Sequence, residues 1–201
     1  MENFYHRLKA ITHPISLSAI YMIISALYSF QGVLTVFGFT SFVLIVLLMN
    51  IALIVSLLKY FLNQKNPLVP NLVAYVIWLI PVIIEYFLYK PLIYKFDYME
   101  FSLSLVFDGL VLVVLYSLVN LELNLLALGS FSVFLFLLSL NSLFYFWSLV
   151  ITVLIAGVYG GFVFKKAKSS LSQILISYLA GIIVYALSYY SAVYLVKIIF
   201  S

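Results

Sequence analysis

The sequence predicts an all-α fold, a polytopic transmembrane helix bundle of about seven spans joined by very short loops. Three observations carry that expectation. Of the 201 residues, 67% are hydrophobic. Only 8% are charged, against roughly 25% in a soluble domain that must keep its surface wet. The mean hydropathy is +1.26, and the apolar residues gather into uninterrupted runs of roughly 20, the length that crosses about 30 Å of hydrocarbon as a helix.

The runs are Ile15–Phe37, Phe39–Leu58, Leu68–Leu88, Phe101–Leu118, Leu123–Leu140, Leu143–Phe164 and Leu171–Ile199. Polar or conformational breaks separate them: Gly38, Asn63 to Pro67, Lys90 to Glu100, Asn120 to Asn124, Asn141 with Ser142, and Lys165 to Ser170. In lipid the backbone polar groups of each run must be satisfied inside the segment, which imposes a helix despite the many β-branched and aromatic residues. A membrane barrel needs alternating polarity, and the runs show none. Arg7 and Lys9 precede the first run as they would a signal peptide. That run is too long for an apolar signal core and no A-x-A site follows it, so it reads as the first span. No Pro/Gly/Ser-rich linker or charge run divides the chain, and residues 1–201 read as a single transmembrane helical domain.

Orientation follows from the bias of Lys and Arg toward short cytoplasmic loops. With seven spans and a cytoplasmic N-terminus, Arg7, Lys9, Lys59, Lys65, Lys165, Lys166 and Lys168 lie inside, and Lys90, Lys95 and Lys197 lie outside. Asp97 and Glu100 offset the outer loop. Merging Phe101 to Leu140 into one helix would move the Lys165–Lys168 cluster outside, so the charge bias favours seven spans over six. The expected location is the cell membrane. The ten basic residues are scattered over run ends and form no dense patch of the kind that neutralises phosphates, so the expected partners are the lipid bilayer and other membrane subunits, and not nucleic acid.

The chemistry open to this chain is narrow. It has no cysteine, which removes disulfides, thiolate nucleophiles, Cys-ligated zinc and iron–sulfur clusters. The two histidines, His6 and His13, precede the first run, whereas a membrane haem needs two at mid-depth and copper sites need several. They are seven apart and could share a helical face, but two ligands do not make a site, so no metal and no cofactor is expected. The two aspartates, Asp97 and Asp108, sit on one segment about 16 Å apart if it is a continuous helix, too far to converge on one water. No histidine or lysine at mid-membrane stands beside a serine as a base. No P-loop or G-x-G-x-x-G occurs. No catalytic residue is assigned, and an enzyme is not expected. No stretch carries a family motif specific enough to transfer functional residues.

What remains are carboxylates at membrane depth, where burial is expensive and function is the default reading. Asp108 lies near the middle of the fourth run with Ser104 one turn away, and Glu85 lies in the third run four residues after Pro81, which frees the carbonyl of Ile77. Asp108, Glu85 and Ser104 are the candidate ion, proton or polar binding residues; a carboxyl serving only as a hydrogen-bond donor is the alternative. Glu122, near a run end, is expected to be solvated.

Helix packing in lipid is marked by small residues that let backbones approach. In the sixth run Ser148, Thr152, Ala156 and Gly160 recur every four residues beside the pair Gly157 and Gly161; in the seventh Ser170, Ser177, Gly181, Ser188 and Ser191 share a face. These ridges are expected to pack on each other or on a partner. The first run adds a polar stripe of Ser18, Tyr21, Ser25 and Tyr28. The leading expectation is a non-catalytic membrane subunit of a larger respiratory or transport complex. The alternative is a small transporter or proton/cation pathway through Asp108 and Glu85.

Overall fold

A computed structural model describes residues 2–29, 98–119, 121–140, 142–167 and 169–200. Every element among them is an α-helix: α1 (Glu2–Ile11), α2 (Pro14–Ser29), α3 (Tyr98–Val119), α4 (Leu123–Ser139), α5 (Leu143–Ala167) and α6 (Leu171–Phe200). The last four coincide with the last four apolar runs, and α4, α5 and α6 begin at the residues the hydropathy pattern indicates. The second and third runs and the end of the first lie outside the described residues, and Glu85 with them.

The entry to the first run differs from expectation. Pro14 has no N–H to give a preceding turn and disfavours helical backbone at His13, so α1 stops and α2 starts afresh with proline in its first position. Thr12 closes α1, its hydroxyl donating to Leu8 O at 2.8 Å. Asn124 Nδ2 donates to Lys9 O and to Thr12 Oγ1, both at 2.8 Å, and so takes up a carbonyl that the helix end leaves open. His6 and His13 therefore do not share one helix face. Burial, aided by the neighbouring Lys9 charge, lowers the His13 pKa to about 4.

The chain divides into two compact units. In the first, residues 1–17 with 108–188, α4 is the central helix: its residues from Leu123 to Ser132, with Phe134, Leu135 and Leu138, are buried. A helix apolar on all sides is stable only where every side is covered. α5 packs against it. α1 docks on α5 through aromatic contacts, Phe4 to Phe162 at 5.8 Å and Tyr5 stacked on Tyr159 at 6.2 Å. In the second unit, residues 18–107 with 189–201, α2 and α3 are joined by Tyr21, whose hydroxyl meets Phe101 O at 2.9 Å. Phe101 also lies against the Tyr189 ring at 5.7 Å.

Two helices are long and apolar enough to cross a membrane, Leu143–Lys166 and Leu171–Ile198. Their most apolar windows are only 28% and 33% buried. Core helices of a soluble protein would be mostly covered; here Phe144, Trp147, Ile151 and Leu154 on α5 and Leu175, Leu179, Ile183 and Leu187 on α6 face outward. The shorter apolar stretches Leu103–Val119 and Leu123–Ser139 belong to α3 and α4.

Candidate functional site

In the first unit α4 and α6 cross at close backbone distance. A Cβ placed on Gly129 would collide with the backbone oxygen of Tyr178 and lie 3.2 Å from Ile182 N; one on Gly181 would collide with Leu126 O and lie 2.9 Å from its carbonyl carbon. Only hydrogen fits at either position, so the two backbones approach as small residues permit in membrane-type packing.

Ser130 follows Gly129 and points into this contact. Its Oγ donates to Asp108 Oδ1 at 3.0 Å and to Gly181 O at 3.1 Å. A serine has one hydroxyl hydrogen, so the two acceptors share one donor. Asp108 and Ser130 are each 4% exposed. The result is a hydrogen-bonded joint that ties α3, α4 and α6 together at a buried position. Such a joint holds helices in register.

Ser104, one turn before Asp108, is turned to another task. It is fully buried in the second unit, with Oγ 2.7 Å from Phe101 O and 2.8 Å from the Tyr21 hydroxyl. Tyr21 and Ser18 of the first-run polar stripe are buried there too. These bonds fasten α2 to α3.

Glu122, expected in solvent, is half-buried. It precedes α4, and its backbone N–H donates to Ser177 Oγ of α6 at 3.0 Å while Ser177 in turn donates to Gln173 O at 2.8 Å. The Glu122 carboxylate accepts from the fully buried Tyr159 hydroxyl at 3.0 Å. The start of α4 is thus secured by α5 and α6 rather than by its own cap, since Glu122 makes no side-chain cap bond.

The four packing glycines divide. Gly181 makes its contact with α4. At Gly160 a Cβ would stand 3.1 Å from Ile174 Cγ2 of α6, a tight approach, but to the end of a side chain and not to backbone. Gly157 and Gly161 are exposed, and a Cβ on either would have nothing within 4 Å among the described residues. They floor an apolar groove of about 440 Å³ between α5 and α6, walled by Val153, Phe164, Leu171, Leu175 and Tyr178. Sequence reasoning missed Gly129, Ser130 and Tyr159. The adjoining small residues Gly129 and Ser130, with Ser132 nearby in the same run, were the available signal.

Among the described residues no three His, Asp or Glu side chains converge as a metal site would require. No protein-family model matches the chain, and no significant match to it is found among curated proteins or solved structures.

Proposed function

We propose that this chain is a non-catalytic subunit embedded in a membrane and assembled with other membrane proteins in a respiratory or transport complex. The observation that carries the reading is the Ser130 joint: the carboxylate most open to a functional interpretation is bonded into a helix crossing with Gly181 O as its neighbour. Two further features support it. The outward faces of α5 and α6 are lined with large apolar side chains, which suits contact with lipid or with other spans. The connections between α4 and α5 and between α5 and α6 are only a few residues long, which suits helices that follow one another through a bilayer.

In this reading the chain crosses the membrane seven times, with its N-terminus in the cytoplasm of a cell bounded by that membrane, as the lysine distribution favours. Purification of the tagged protein in a mild detergent tests the proposal. Other membrane subunits are expected to co-purify in fixed stoichiometry. A protein recovered alone that supports ion flux on reconstitution, with the flux lost on Asp108→Asn, would overturn it in favour of a transport pathway.

A further inference from the structure

We infer that the groove between α5 and α6 binds one acyl chain of an anionic phospholipid whose phosphate is held at Lys165. Val153, Gly157 and Gly161, which line the groove, recur every four residues on one exposed face of α5. The same stripe continues one turn further to Lys165, which is also exposed. Residues four apart lie nearly above one another on a helix, so Lys165 follows Gly161 on this face, about 18 Å along the axis from Val153. Phe164 on α5 and Leu171 on α6 form the walls nearest that end.

The chemistry of the two parts selects the occupant. The groove is apolar and of a volume typical of small-ligand pockets, about 300–1,000 Å³, and it exists because two glycines withhold side chains where any other residue would fill it. Exposed Lys165 lies one helical turn beyond Gly161, while the neighbouring Lys166 is turned to α1, its Nζ 4.9 Å over the Tyr5 ring. From Lys165 to Ile176 the chain contains no acidic residue. An apolar channel with an exposed lysine one turn beyond its last glycine complements a negatively charged lipid. A zwitterionic lipid would supply the tail but not the net charge. By the lysine distribution this end lies at the cytoplasmic face, where anionic lipids concentrate.

This inference rests on the membrane reading above, and the test separates the two. The full chain is reconstituted into vesicles of phosphatidylcholine alone and of phosphatidylcholine with phosphatidylglycerol, matched in acyl chains, and floated on a density gradient. It is then extracted into detergent and its retained phospholipid counted by native mass spectrometry. Flotation with both vesicles is expected, with one phosphatidylglycerol retained. Gly157→Leu fills the groove in open space and Lys165→Gln removes the charge; each is expected to lose the retained lipid at least tenfold, with unchanged helical circular dichroism. Should Gly157→Leu misfold, Gly161→Ala, the smaller filling, takes its place. Failure to float overturns the membrane reading and the lipid site together. Flotation with equal retention of both lipids, or retention unaffected by either substitution, overturns the lipid site alone, as does a co-purifying protein that is lost with Gly157→Leu and shows the groove to hold a partner helix.

Discussion

Replacing Gly181 with alanine should be among the most damaging single-methyl changes this chain can suffer. The new Cβ would occupy the position of Leu126 O and crowd the carbonyl carbon and Cα of the same residue, at 2.9 and 3.1 Å. These are backbone atoms of the buried central helix, so no side chain can swing aside and α4 and α6 must separate. Overpacking of a tight contact costs about 1–3 kcal/mol. Separation also stretches the 3.1 Å bond from Ser130 to Gly181 O, a loss of roughly 0.5–1.5 kcal/mol. The expected destabilisation is therefore about 2–4 kcal/mol, from which the better helix propensity of alanine returns up to about 1 kcal/mol. Gly157→Ala is the matched control: it gains the same propensity and meets nothing within 4 Å among the described residues, so it should be neutral or slightly stabilising. Thermal unfolding of both variants in one detergent, followed by far-ultraviolet circular dichroism, measures the contrast. Equal midpoints for the two would refute the close crossing.

At the joint, Ser130→Ala should cost about 1–3 kcal/mol because it leaves a buried Asp108 oxygen without its donor, whereas Asp108→Asn keeps an oxygen for Ser130 and should lie within about 1 kcal/mol of wild type; unfolding midpoints in the reverse order would reject the structural role. His13 has a folded pKa of about 4 against 6.5 unfolded, so the unfolded chain binds more protons between those values and stability should fall as pH drops from 6.5 toward 4, by at most about 3 kcal/mol. The slope in that window should flatten in His13→Gln, and an identical pH profile for the variant would assign the acid sensitivity elsewhere. Cysteines introduced as Glu2→Cys and Ser201→Cys into this cysteine-free chain should react with an impermeant maleimide from opposite sides of the membrane; labelling of both from one side would exclude an odd number of spans.

How much of this is legible in the sequence differs by element. The limits of α4, α5 and α6 follow from hydropathy and from the polar residues between them, because a run of apolar side chains bounded by Asn, Ser and Lys has few other conformations. The stop at Thr12 is also present in the sequence as Pro14, but the net apolar character downstream conceals a separate amphipathic α1 in front of it. The site is less legible. Periodicity marks the small faces of α5 and α6 without telling which neighbour each meets: Gly181 packs on α4, whereas Gly157 and Gly161 make no close contact with a described helix and leave a groove beside α6. Ser104 and Asp108 share a spacing of four, yet each bonds to a different helix, Ser104 with Tyr21 of α2 and Asp108 with Ser130 of α4. Spacing fixes direction from one helix axis; the identity of the partner depends on helices far away in the chain. Glu122 eludes a sequence reading for the same reason, since a carboxylate near a helix end is solvated only if nothing like Tyr159 reaches it.

The closure of α1 by Asn124 sets an order of events during synthesis. Its bonds to Lys9 and Thr12 bridge 115 and 112 residues of sequence. At an elongation rate of about 5–20 residues per second, roughly 6–23 s pass between the emergence of the first helix and that of the side chain that closes it. Tyr159 and Phe162, which receive its aromatic face, arrive later still. Through that interval α1 is without the contacts that Asn124, Tyr159 and Phe162 supply, and a ribosome stalled before Asn124 would leave α1 without the residues that hold it.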